Sequence, residues 1–318
     1  MQLKIYLTYL LLIFSLVAEC QNDSSSVQYY QINNELQYGY HKPKLFDLVT
    51  NIPKNYLDLG RGLKDKNNLA WVGITIAATG MLIPPDQDLI GHVENISYSL
   101  NLSRKHKYGK IWGLMEYPTN ISATFYHFGH GSVSLLAAGG FLVTGLIKKD
   151  YRAIHTSIEI GESILTLGVM TQGLKRVFGR QSPSQSTVDG GEWDFFPNQK
   201  DYMKHTAYYD AMPSGHMATI ISTVTVISKN YPEVKWIKPL GYTMATLMAV
   251  EMMNSGVHWA SDYPLGILIG YSVATISVNR RITKVNTSNT SYHQTKIQPQ
   301  FFVSSLHGTP IYGVKAVF

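Results

Sequence analysis

Pro213-Ser214-Gly215-His216 stands directly before the apolar run Met217 to Ser228. Proline suits a first helical turn, and serine and glycine leave the backbone N–H groups that follow open. An uncapped helix N-terminus binds anions through those groups and through the helix dipole, and His216 sets an imidazole beside the anion. Read alone, the tetrapeptide serves equally as a plain cap with an incidental histidine. A second pair, His258 and Asp262, lies within His258-Trp259-Ala260-Ser261-Asp262. A spacing of four puts both side chains on one helical face, where the carboxylate accepts the Nδ1 proton and Nε2 turns outward as base or nucleophile. By itself such a pair is more often a packing contact. The third feature is Lys175, in Leu174-Lys175-Arg176-Val177-Phe178-Gly179-Arg180-Gln181-Ser182-Pro183. A cation near a helix C-terminus is ordinarily a complement to the dipole.

Taken together, the three features resemble the phosphatidic acid phosphatase type 2 superfamily, which includes bacterial acid phosphatases and vanadium haloperoxidases. The family pattern is Lys-x6-Arg-Pro, then Pro-Ser-Gly-His, then Ser-Arg-x5-His-x3-Asp. Lys175, Pro183, the whole of Pro213 to His216, His258 and Asp262 match it, over roughly residues 120 to 279. Two places depart. Ser182 stands where the first motif has arginine, and Glu251-Met252 stand where the third has Ser-Arg.

The resemblance implies that His258 attacks phosphorus, that Asp262 holds its tautomer, and that His216 protonates the leaving oxygen and then activates water. It also implies that Lys175 and the backbone at Ser214 and Gly215 hold the phosphoryl oxygens. Each missing charged hydrogen-bonding partner is worth about 1.5–3 kcal/mol. Two such losses, uncompensated, slow a reaction by about two to four orders of magnitude. Arg180 and Arg176 are the nearest replacements, and Arg180, two residues from the vacant position, is the better one.

Three function classes follow from the resemblance. A phosphomonoesterase acting on lipid or isoprenoid phosphates, or on small phosphomonoesters, needs no cofactor. A haloperoxidase would place vanadate in the same pocket. A non-catalytic member would keep the fold as a binding protein. The partners expected are a phosphorylated substrate and a membrane, with no nucleic acid and no metal. His127 and His130 with Glu159 and Glu162 could suggest a metal between helices, but di-iron sites want Glu-x-x-His on paired helices, and interior polar contacts are the stronger reading.

The elements that carry these residues come from composition and pattern. The chain has 318 residues, 45% apolar and only 15% charged, with a formal charge of +6 and one cysteine. The charged share is well below the roughly 25% of an ordinary soluble domain. One cysteine excludes a disulfide framework and a multi-thiolate metal site. Lys4, then an apolar stretch from Ile5 to Ala18, then Glu19 and Cys20 describe a signal peptide over residues 1–20, too short to be a membrane span. Cys20 is either the last residue removed or a lipid-bearing first residue.

Residues 21–66 read as an irregular leader, 67–279 as the helical domain and 280–318 as a polar tail with a strand or two at its end. Six segments have helix length: Asn67–Pro85, Tyr117–Ile147, Ile154–Phe178, Met217–Ser228, Pro239–Val250 and Tyr263–Asn279. They predict an all-α bundle of about six core helices. Several are long enough to span a bilayer, and Glu159, Glu162, Glu251 and Asp262 must then face a bundle interior or a polar cavity. The expectation is an exported protein integral to a bacterial envelope, its site facing the periplasm. A water-soluble bundle with a thick core gives the same pattern.

Overall fold

The computed structural model describes residues 26–111, 115–286, 298–306 and 309–317; the signal peptide and Cys20 lie outside these. In chain order the elements begin with β1 (Val27–Asn33), β2 (Leu36–His41), α1 (Asp47–Thr50), α2 (Ile52–Gly62), α3 (Lys66–Leu82) and α4 (Asp86–Ser99). Then come β3 (Tyr108–Ile111), β4 (Met115–Pro118), α5 (Ile121–His127), α6 (Gly131–Lys148), α7 (Tyr151–Phe178) and α8 (Gln199–Lys204). The chain continues through α9 (Gly215–Asn230), α10 (Ile237–Asn254), α11 (Tyr263–Asn279), β5 (Ile282–Asn286), β6 (Gln298–Leu306) and β7 (Thr309–Val317). The fold is an all-α bundle with small antiparallel sheets attached.

The long helix α7 is the spine. Asp150 caps its first turn by accepting the Ala153 N–H at 3.0 Å, and Gly179 ends it at φ 52°. A Cβ at Gly179 would lie 1.8 Å from the Asp194 carbonyl oxygen, so only glycine lets the neighbouring strand pass there. Helices α9 and α11 also approach closely. Gly266 and Gly270 on α11 lie so near that a Cβ would come within 2.6 Å of the Ser214 carbonyl and 2.3 Å of the Ala218 carbonyl. Small residues four apart let two backbones meet, and here they bring the element after Asp262 against the element after Ser214.

Five of the six expected segments appear as single helices near the expected bounds (α3, α7, α9, α10 and α11). Tyr117–Ile147 is divided: β4, then α5, then α6. The break is local chemistry, because the His130 side chain accepts the Ser132 N–H and starts a new helix between Gly129 and Gly131. The leader is not irregular. Strands β1 and β2 form a hairpin, and β5 adds as a third antiparallel strand with Tyr40 opposite Ile282. Tyr40 is fully buried and donates its hydroxyl to Asn230 at 2.9 Å.

The interior carboxylates lie where the charge argument requires. Glu159, Glu162 and Asp262 have no exposed surface, and Glu251 has almost none. Glu159 accepts from Asn230. Glu162 accepts from Asn55, Arg280 and Arg281, while Glu251 accepts from His106 at 3.0 Å. His127 and His130 stack on one another elsewhere, 5.0 Å apart, and no group of ligands suited to a metal occurs among the described residues. Among those residues one helix, α6, is long and apolar enough by itself to cross a membrane; α3 and α4 pass the same test only as a pair bent by 72°.

Candidate active site

Three pieces of chain converge. The Ser214 N–H donates to the Asp262 carbonyl at 3.1 Å, tying the second motif to the third. Ser214 then caps α9, its Oγ accepting the Met217 N–H at 3.3 Å. The Gly215 and His216 N–H groups belong to the first turn, where a helix has no internal partners for them. His258 lies opposite, its ring 6.5 Å from that of His216 at an interplanar angle of 69°.

His258 and Asp262 do meet, but not on a helical face as the spacing suggested. Residues 260–262 form a single 3₁₀ turn, and α11 begins only at Tyr263. His258 Nδ1 lies 3.3 Å from Asp262 Oδ2, and the same oxygen accepts the Trp259 N–H at 2.8 Å. A carboxylate only accepts, so the proton belongs on Nδ1 and the Nε2 lone pair is free for chemistry.

Lys175 reaches the same region from the last turn of α7. It is buried, and its Nζ lies 3.4 Å from Asp210 Oδ2. Asp210 lies in the stretch between the first and second motifs, and that stretch is strapped to residues 180–182. Gln181 N–H donates to the Glu192 carbonyl, Ser182 N–H to Ala207, and Ala211 N–H to the Arg180 carbonyl, each at 2.9–3.0 Å.

Arg180, expected at the phosphate, is committed to protein acceptors. It is fully buried, and its five N–H groups are all used. Nε and Nη2 donate to the Gly190 carbonyl at 3.2 and 2.8 Å. Nη1 donates to Ser261 Oγ and Asp262 Oδ1 at 2.6 and 2.8 Å, and Nη2 also to Asp86 Oδ2 at 2.7 Å. A guanidinium so saturated has no donor left for an anion. Arg176 points elsewhere as well, bonding Gln172 and Gln199 and lying 4.5 Å over the Tyr202 ring. Ser182 is buried, and Met252 is packed in the core with Met248 and Trp259.

Around His216 the structure adds groups that local sequence did not single out. The Tyr126 ring lies 4.7 Å from it and the His130 ring 6.3 Å away, and His106 stacks on the far side of Tyr126 at 4.3 Å. Gly129 fits against it so tightly that a Cβ would lie 2.9 Å from the His216 Cβ and carbonyl. Burial, then the charges of His258, Lys175, His130 and His106, hold the His216 imidazole down at about 3. It is therefore neutral near pH 7 until an anion arrives. Asp86, Asp210 and Tyr126 were missed because each is joined to the motifs through space, and Ser261, inside the third motif, because its partners Arg180 and Asp86 are distant in sequence; the only sequence signal was Asp86 itself, an acid in the first turn of a helix.

The bundle and the paired histidines define a helical protein with two imidazoles set at a helix start. Residues 157–285, less than half of the chain but the part that carries all three motifs, match the PAP2 superfamily model. Two solved structures are similar. Aquifex aeolicus LpxE is 23% identical, over 50% of this chain and 86% of that one, with a TM-score of 0.36. A transmembrane PAP2-type phosphatidylglycerolphosphate phosphatase from Bacillus subtilis is 15% identical, over 67% of this chain and 94% of that one, with a TM-score of 0.39. No curated protein matches the chain.

Proposed function

We propose that this protein is a phosphomonoesterase that hydrolyses phosphorylated lipids through a phosphohistidine on His258. The observation that carries this reading is the pair of imidazoles facing one another across a gap at the start of α9, one of them backed by a carboxylate. His258 Nε2 attacks phosphorus, and the bond to the ester oxygen breaks. The leaving oxygen takes its proton from His216, whose own proton is supplied when the anionic substrate binds beside it. His216, now neutral, removes a proton from water; the oxygen attacks phosphorus, the P–N bond breaks and its electron pair returns to Nε2. Lys175 and the first N–H groups of α9 are the positive ends available to the phosphoryl oxygens.

Association with a membrane fits helix α6 and the exposed apolar side chains on α3 and α6, among them Trp71, Ile76, Leu136 and Ile147. The lipid substrate class rests on this surface and on the family region. The test is phosphate release from phosphatidic acid, an isoprenyl phosphate and p-nitrophenyl phosphate by purified, detergent-solubilised protein, beside His258→Ala. The expected result is turnover by wild type, an acid-labile phosphoenzyme, and neither in the variant. Undiminished hydrolysis by His258→Ala overturns the mechanism.

A second reading, a binding protein with a weakened site, is favoured by one observation: both nearby arginines are committed elsewhere and Lys175 is shared with Asp210. Anion binding without turnover would select it. Vanadate-dependent halide oxidation would select the haloperoxidase, a reading that needs the same arginines.

A further inference from the structure

Arg180 joins two carboxylates, and only one of them belongs to the reaction outlined above. Asp262 touches His258; Asp86 does not. Asp86 is the first residue of α4, an element outside the stretch that matches the family. It is fully buried and only accepts: Oδ1 from the Ser261 N–H at 3.1 Å, Oδ2 from Ser261 Oγ and from Arg180 Nη2. Trp193 and Trp259 cover the guanidinium at 4.7 and 5.2 Å, so the cluster is shielded from water. Within it one guanidinium faces two carboxylates, which leaves one surplus negative charge. The opening of the cluster toward the site is Asp262 Oδ2, which faces His258 Nδ1.

We propose that Asp86 is a positioning residue for His258: by occupying half of the Arg180 fork, it keeps Asp262 from being neutralised and leaves the pair one net negative charge. The charge matters when the imidazole becomes cationic. Attack by Nε2 on phosphorus leaves the ring protonated at Nδ1 and positively charged, while the negative charge departs on the ester oxygen and is quenched by the His216 proton. A buried counter-charge behind Nδ1 stabilises that cation in a medium that screens poorly. Were Arg180 free to pair with Asp262 alone, the two would cancel and the imidazolium would face a neutral partner. Ser261 completes the arrangement, donating to Asp86 and accepting from Arg180, which holds the guanidinium in one orientation.

The proposal rests on the phosphatase reading, and one experiment separates their failures. Full-length protein in detergent is assayed with p-nitrophenyl phosphate as wild type, Asp86→Asn and the double variant Asp86→Asn/Arg180→Gln, each checked for folding by gel filtration and melting. Asp86→Asn is expected to lower kcat about tenfold or more, the effect of one interaction of about 1.4 kcal/mol in the transition state, with KM unchanged. The double variant removes a cation along with the anion and restores the one surplus negative charge, so it regains activity relative to Asp86→Asn. A purely structural Asp86 predicts the opposite order, and that order overturns the proposal. If the double variant does not fold, rapid quench decides with the single variant. A lower level of acid-labile phosphohistidine supports the charge role, and an unchanged level overturns it. A wild type that releases no phosphate overturns the phosphatase reading and this proposal with it.

Discussion

Replacing Arg180 with methionine tests the buried charge cluster as a structural element. The side chain has similar length, so packing changes little, but both Asp86 and Asp262 lose their cation while remaining without any exposed surface. Removing one partner from a buried ion pair costs about 3–5 kcal/mol, because the charge left behind is neither paired nor hydrated. One guanidinium here answers two carboxylates, so the upper part of that range applies. Ser261 Oγ and the Gly190 carbonyl lose donors as well. At about 2–4 °C per kcal/mol, the melting temperature should fall by about 10 °C or more.

Arg180→Lys should fall between the two. It keeps the charge but brings three donors instead of five, and an ammonium cannot reach both carboxylates in one plane. The assay is thermal unfolding of purified protein in detergent at pH 7, followed by circular dichroism. A methionine variant that melts within about 2 °C of wild type at pH 7, a loss of less than about 1 kcal/mol, would refute the reasoning.

Three further outcomes are expected. Because His216 is held neutral at about 3 without ligand, the reactive complex needs one proton brought with the phosphate; kcat/KM should therefore rise as pH falls through about 6, the second phosphate pKa, and a profile flat from pH 5 to 8 counts against His216 as the acid. Gly129→Ala should lower activity and cost about 1–3 kcal/mol of stability, since its methyl would come within 2.1 Å of Met248 Sδ and press on His216; normal kinetics in a stable variant would show that this contact does not set the His216 position. Ser182→Arg with Met252→Arg should raise kcat/KM about tenfold on a simple phosphomonoester if about 1.4 kcal/mol of transition-state binding is recovered, while lowering the melting temperature because Met252 is fully buried in the core; a folded double variant no faster than wild type would show that phosphate does not lie between those positions.

What the sequence determined by itself is local and periodic. Pro213 to His216 announce a helix start because proline, serine and glycine act on the backbone of their own turn, and α9 begins at Gly215. The helices α7, α9, α10 and α11 were legible because apolar runs of that length have few other ways to satisfy their backbone groups. The His258–Asp262 contact was also legible, although the turn that makes it is 3₁₀ and not α. Tertiary structure decided the rest.

Arg180 was read as a phosphate ligand from its nearness to a vacant motif position. The structure gives its fork instead to Asp86, 94 residues away, and to Asp262, 82 residues away. Sequence distance carries no information about which carboxylate a buried guanidinium will meet; the packing of α4 against the turn before α11 settles it. The leader looked irregular for a related reason. Its strand β2 is completed only by β5, more than two hundred residues later, and a strand whose partner is distant shows little of its role in its own residues.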